Sequence, residues 1–200
     1  QAEVGGRYEH VVGQSPRMVE LLDTARCAAG SSATVLLLGE TGTGKEVMAR
    51  ALHRWSPRAS KPFVVVNCAA FPESLLENEL FGHEKGAYTG AVKREPGKIE
   101  AAEGGTVFLD EIGDMPVGLQ TRLLRLLQDQ EFYRVGGAQP IRTDVRFVAA
   151  TNKDLKEAIQ EGLFREDLFY RLNVISLTLP PLRQRVDDLP LLVEHFVRRH

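Results

Sequence analysis

Gly39-Glu40-Thr41-Gly42-Thr43-Gly44-Lys45 narrows the possible folds more than any other stretch of this 200-residue chain. It follows the run Thr34-Val35-Leu36-Leu37-Leu38 and leads into a helical pattern from about Lys45 to Trp55. An apolar run without alternation reads as a strand buried on both faces, which places it in a parallel sheet covered by helices. Glycines in the turn that follows let backbone N–H groups face inward around phosphate oxygens. The helix start adds partial positive charge, and a lysine there reaches the terminal phosphates. Gly39, Glu40, Thr41, Gly42, Thr43, Gly44 and Lys45 are therefore candidate nucleotide-binding residues. Such loops usually continue with Ser or Thr, whose hydroxyl binds Mg²⁺. Here Glu46 follows, and its carboxylate is expected to act near the metal, directly or through water.

The rest of the pattern agrees with an α/β sheet. Phe63–Val66, Thr106–Leu109, Arg146–Ala150 and Val174–Leu177 are further buried strands. Met18, Leu21, Leu22 and Ala25 recur at helical spacing after Ser15-Pro16, which reads as an N-cap and a first-turn proline. Leucines from Leu119 to Leu127 mark a further helix. Leu155 to Ile159 and Leu168 to Leu172 mark two more. Strands alternating with helices argue a parallel sheet between helical layers. Phe132–Gly137 reads as one hairpin arm that turns at Gly136-Gly137 and returns through Ile141. Pro180-Pro181 stops the last strand, and a helix is expected from about Asp187 to His200.

The strand ends carry the polar groups. In open parallel sheets the carboxyl ends of the strands line the ligand crevice. Asp110 is placed to hold Mg²⁺ and Glu111 to polarise an attacking water, unless the two simply cap the next helix. Asn67, Thr151 and Asn152 end two other strands, as sensors of the γ-phosphate or as turn formers. Arg165 and Arg171 lie six apart on a helical segment. Each is either a surface ion-pairing arginine or a finger offered to a neighbouring subunit. The stretch from Gly82 to Ala91 has three glycines, two alanines and one aromatic, Tyr88. Such composition packs poorly. It reads as a mobile surface loop or as a flexible probe, and its place between Lys45 and Asp110-Glu111 favours the probe.

Bulk properties exclude several classes. Apolar residues make 43% and charged residues 26%, with a net charge of −2. That is a globular balance with no global pull toward nucleic acid or anionic membrane. No apolar run approaches the ~20 residues of a membrane span, and no signal peptide is visible. Cys27 and Cys68 have no paired-ligand spacing and are expected as small buried hydrophobes. The five histidines show no metal-ligand pairing. A cytoplasmic protein is expected, and the Gln1 start reads as a piece of a longer one.

Taken in order, these motifs closely resemble the AAA+ ATPase domain of bacterial sigma-54-dependent transcription activators of the NtrC type, from about Tyr8-Glu9-His10-Val11-Val12-Gly13 onward. Gly39–Glu46 is similar to that family's phosphate loop, glutamate included. Asn67-Cys68-Ala69-Ala70, Glu79–Glu84 and Gly104–Glu111 also match. Gly86-Ala87-Tyr88-Thr89-Gly90-Ala91 resembles its GAFTGA loop, with tyrosine for phenylalanine. Phe164–Leu168 and Tyr170–Leu172 resemble the segment carrying intersubunit arginines, and Leu179–Arg183 the passage into a helical lid.

The resemblance implies an AAA+ P-loop NTPase fold, a three-layer α/β/α sandwich on a five-stranded, mainly parallel sheet. Residues 1–180 would form the core and 181–200 the start of a lid whose remainder is absent. It implies ATP and Mg²⁺ as cofactors, with Val12 and Gly13 also at the nucleotide. Asn67 would couple the γ-phosphate to Glu111, and Arg165 and Arg171 would act across subunits of a ring, commonly a hexamer. Gly86, Ala87, Tyr88, Thr89, Gly90 and Ala91 would contact sigma-54 in RNA polymerase holoenzyme and remodel the closed promoter complex. The hairpin at Gly136-Gly137 would move with that loop. Promoter DNA would be reached through a helix-turn-helix domain outside this chain, and signals through a regulatory domain before it. Two other readings stay open from the residues: another AAA+ remodelling ATPase, and a non-hydrolysing ATP-sensing switch.

Overall fold

The structure, a computed structural model, describes residues 11 and 13–198. Five parallel strands form its centre: β1 (Val35–Leu38), β2 (Phe63–Asn67), β3 (Thr106–Asp110), β4 (Arg146–Thr151) and β5 (Ile175–Thr178), in the order β2-β3-β4-β1-β5. Parallel pairing brings all carboxyl ends to one edge. Leu38 is level with both Thr151 and Thr178, and Asn67 with Asp110.

Period-two alternation splits the apolar strand residues between two cores. Leu36, Val107, Leu109, Phe147 and Ala149 face one side; Val35, Leu37, Phe108, Val148 and Ala150 face the other. The second side is covered by α1 (Pro16–Ala29) and α2 (Lys45–Arg54). The first is covered by α3 (Glu73–Phe81), α4 (Lys98–Ala101), α5 (Val117–Asp129), α6 (Leu155–Gln160) and α7 (Glu166–Leu172). The result is the expected three-layer α/β/α sandwich. A final helix, α8 (Leu189–Val197), follows two 3-10 turns at Leu182–Gln184 and Val186–Asp188, so the helix expected from Asp187 starts two residues later. Its predicted end at His200 lies outside the described residues.

Three local expectations change. Ser15 stands at the N-cap of α1 with Pro16 behind it, but its hydroxyl makes no cap bond. It donates instead to Asp188 Oδ2 at 2.9 Å, and that buried carboxylate supplies the negative charge the helix start favours. Cys27 is exposed rather than buried, because the apolar stripe of α1 runs through Met18, Leu21, Leu22, Ala25 and Ala28 and leaves position 27 on the outer face. The predicted hairpin pairs only Glu131 with Arg142 and Phe132 with Ile141. Beyond it Val135 leaves its partner arm and bridges to His83, with Val135 N donating to Gly82 O at 2.9 Å and Glu84 N to Val135 O at 3.0 Å. The stretch around Tyr88 is a loop of turns and irregular backbone. It is the tip of an insertion between α3 and α4, whose ends pair as Gly82 with Pro96 and His83 with Glu95. Helix α3 is a new element, with a weak stripe of Leu76, Leu80 and Phe81.

Candidate nucleotide site

The loop between β1 and α2 has the phosphate-cradling geometry. Gly39, Gly42 and Gly44 all have positive φ, at 156°, 81° and 97°. Other residues strain to adopt such angles. A side chain at Gly42 or Gly44 would meet nothing within 4 Å, so the backbone there borders open space. The first N–H groups of α2 have no partner inside the helix, which makes its start suited to an anion. Lys45 is the first residue of α2 and buried; its Nζ donates to the carbonyls of Gly39 (2.9 Å) and Glu40 (3.2 Å). Thr43 closes the loop through its Oγ1, which donates to Glu40 O at 2.7 Å. Two clefts of about 500 and 530 Å³ flank Gly39 and Glu40, within the usual size of small-molecule sites. One lies against α1 and Leu179–Pro181, the other against Asn152, Phe169 and Asn173.

Glu111, at the end of β3, has the left-handed backbone (φ 51°, ψ 48°). For a residue with a Cβ this costs about 1–2 kcal/mol and is characteristic of functional positions. The capping explanation for this acidic pair does not hold: Glu111 precedes the 3-10 turn Ile112–Asp114 without a side-chain cap bond. One of its carboxylate oxygens is buried without any hydrogen-bond partner. Asp110 accepts from Glu111 N at 3.0 Å through Oδ1. The neighbouring Cys68 thiol is pushed up to about 12, first by burial and then by Asp110, Asp114 and Glu111. The strand end therefore carries a negative field and a carboxylate oxygen without a donor, which suits a divalent cation. Among the described residues no group of three or more His, Cys, Asp or Glu forms a self-contained metal cage.

The other predicted residues have more ordinary partners. Asn67, exposed at the end of β2, accepts from Ala69 N at 2.9 Å, as a turn former does. No bond joins it to Glu111 among those described. Thr151 is fully buried and its hydroxyl accepts from Lys153 N. Asn152 does reach the phosphate loop, donating to Thr41 Oγ1 at 3.0 Å. Glu46 is held by Arg50 one turn on, at 2.6 Å, on an exposed surface. It would have to exchange that partner to approach a metal. Gly13 packs against Met18 and Asp188 at the start of α1, and Val12 lies outside the described residues.

Arg165 pairs with Asp167 at 2.7 Å, and each holds the other in its charged form. Arg171 donates to the Leu127 carbonyl in the last turn of α5, at 2.8 Å through Nη2. Neither arginine bonds to the phosphate loop of its own chain. Tyr88 is half exposed, its ring 5.1 Å from that of His83, and turns within Gly86–Ala91 close through Gly86 N to Ala91 O at 2.9 Å.

Sequence reasoning missed a second group that borders the site. Arg183 pairs with Glu40 of the phosphate loop at 2.5 Å, and the guanidinium holds the Glu40 carboxyl below its ordinary value. Arg185, buried nearby, donates to Thr43 O at 2.9 Å. Their position after Pro180-Pro181 signals only a linker, and nothing in spacing places them on a loop 140 residues away.

Comparison with known proteins gives this geometry a context. The model of the sigma-54 interaction domain matches residues 11–178. The transcriptional regulator NtrC of Rhizobium meliloti is 59% identical over 189 residues, covering 94% of this chain and 39% of that protein. The structure of NtrX from Brucella abortus in complex with ATP superposes with a TM-score of 0.88 at 42% identity, covering 94% of this chain and 41% of that one. The P-loop NTPase domain of the sigma-54 transport activator from E. coli shares the fold, at a TM-score of 0.58 and 20% identity, over 86% of this chain and 99% of that domain. The chain thus spans about two-fifths of the length of the NtrC it matches. It belongs to the sigma-54 interaction domain family, the AAA+ P-loop NTPase domain of sigma-54-dependent transcription activators.

Proposed function

We propose that this domain binds and hydrolyses ATP with Mg²⁺, as part of a ring, commonly a hexamer, in the bacterial cytoplasm, and that hydrolysis drives remodelling of the sigma-54 RNA polymerase closed complex. The observation that carries hydrolysis is Glu111, held in a strained backbone conformation with one buried carboxylate oxygen unpartnered. A carboxylate kept short of donors is suited to accept a proton from an attacking water. The loop N–H groups and Lys45 would bind the phosphates, and Asp110 would hold Mg²⁺, which bridges phosphate oxygens and neutralises their charge. Asn152, already bonded to Thr41, would read the γ-phosphate, with Thr151 and Asn67 at the adjoining strand ends. Val12 and Gly13 would lie at the base.

Arg165 and Arg171 would act on the nucleotide of a neighbouring subunit by exchanging their present partners. A finger of this kind contributes roughly 10³–10⁵ in rate. Gly86–Ala91 would make the sigma-54 contact through Tyr88, whose ring is half exposed. Residues 1–180 form the core in this reading and 181–200 open the lid. DNA contact belongs to further domains of the longer protein.

The test is binding of the chain to sigma-54 in the presence of ADP and aluminium fluoride, a mimic of the hydrolytic transition state. The wild type should form the complex. Tyr88→Ala should keep ATP turnover and lose the complex. An unaltered complex with Tyr88→Ala would remove the contact assignment, and unimpaired turnover in Glu111→Gln would remove the base assignment.

A further inference from the structure

One 3-10 turn ties the phosphate loop to the start of α1. At its head the Arg185 guanidinium is buried against the loop. Nη2 donates to Thr43 O at 2.9 Å, Nη1 to Met18 Sδ at 3.4 Å, and Nε has no partner. At its foot the fully buried Asp188 carboxylate accepts from Gln14 N at 2.6 Å, Ser15 N at 2.7 Å and Ser15 Oγ at 2.9 Å. The turn itself closes through Asp188 N to Arg185 O at 2.9 Å.

The contact with Thr43 has a geometric consequence. In a planar trans peptide the C=O and the following N–H point in opposite directions. Arg185, which also touches Met18 of α1, holds the Thr43 carbonyl on that side, so the Gly44 N–H points the other way, away from α1. The other polar groups of Thr43 are already committed, since both its N and its Oγ1 donate to Glu40 O. A single external bond therefore sets the orientation of the peptide on which the phosphate donor depends.

We propose that Arg185 is a positioning residue for nucleotide binding, and that Asp188 on the same turn transmits the position of the loop to residues 13–18. The inference rests on the reading of Gly39–Lys45 as a nucleotide site. Linkage makes the effect reciprocal. A nucleotide that tightens the loop also tightens the attachment of the segment leading into α1.

The experiment uses MgADP with the whole chain, with affinity measured by titration calorimetry and exchange of backbone amides measured by mass spectrometry. In the wild type MgADP should slow exchange both in the loop and in residues 13–18. Arg185→Met keeps a long apolar stem but loses the bonds to Thr43 O and Met18 Sδ. It should bind MgADP about tenfold more weakly, as expected for loss of one charge-assisted hydrogen bond, and lose the nucleotide effect at residues 13–18. Arg185→Lys should restore part of the affinity. Ser15→Ala, which removes one bond to Asp188, should leave affinity within about twofold yet weaken the effect at residues 13–18. Equal affinity and equal protection in Arg185→Met overturn the proposal. Should that variant not fold, unchanged protection in both Arg185→Lys and Ser15→Ala overturns it. A wild type that fails to bind MgADP overturns the nucleotide reading instead.

Discussion

Arg134, on the hairpin that follows α5, donates through Nη1 to the Glu84 carboxylate at the root of the insertion between α3 and α4, at 2.7 Å. The same guanidinium reaches Glu100 on α4 through Nε and Nη2, at 2.8 and 2.5 Å, and its side chain is only 8% exposed. Those two carboxylates hold it firmly in its charged form. Together with the bridge from Val135 to His83, this ties the hairpin to the insertion.

Arg134→Ala should therefore cost about 1–3 kcal/mol of stability, because it removes charge-assisted hydrogen bonds to two part-buried carboxylates. Urea denaturation measures this. Exchange of the amides of residues 84–92 should accelerate in the same variant, whereas ATP turnover should stay within about threefold, since no bond links Arg134 to the phosphate loop. A loop that exchanges as slowly as in the wild type would show that the bridge alone holds it.

Glu111→Gly should separate stability from catalysis. Glycine adopts the left-handed backbone freely, and the substitution removes a buried oxygen without a partner. Against the entropic cost of glycine, the net gain should be about 1–2 kcal/mol, seen as a higher thermal midpoint. ATP turnover should fall by at least about 10², the usual contribution of a general base. A lower midpoint would mean that Glu111 is not strained.

The two cysteines should differ in reactivity. Alkylation needs thiolate. Cys68 is buried and its thiol is held up at about 12, whereas Cys27 is exposed. Iodoacetamide at about pH 8 should label Cys27 alone in the native protein and both after denaturation, as read by mass. Native labelling of Cys68 would contradict its burial.

His53 supplies a pH dependence. Its ring is buried, with Nδ1 3.0 Å from Thr106 Oγ1. Burial lowers its pKa from 6.5, partly offset by a hydrogen bond with the backbone of Lys61. The unfolded state then binds the proton more readily than the folded one, so stability rises with pH across the interval between the two values. His53 should leave stability unaffected above 6.5 and reduce it as the pH falls below that point. His53→Gln should flatten this acid limb of the denaturation midpoint; an unchanged limb would assign it to other groups.

Much of this protein was written in local pattern. The five strands and the helices α1, α2, α5, α6 and α7 follow from period and burial. The phosphate loop follows from glycines between a buried strand and a helix. Asp110 and Glu111 follow from their place at a strand end. These features depend on neighbours within a few residues, which is why Lys45, Asp110 and Glu111 could be singled out from sequence. Helix α3 escaped because its apolar stripe is short, and the strand pair at Gly82 and Pro96 because two residues carry no periodicity.

Partnership across the chain was decided only by the fold. Sequence indicated a nucleotide loop and a probe-like insertion, but it could not show that Arg185 would anchor Thr43 or that Arg134 would join Glu84 and Glu100. Nor could it show that Asp188 would take over the start of α1 from the hydroxyl of Ser15. A side chain records its own chemistry, whereas the acceptor it finds depends on which distant segments the sheet order brings together. Composition and spacing determine which groups are available. The parallel sheet, with every carboxyl end at one edge, decides which of them meet.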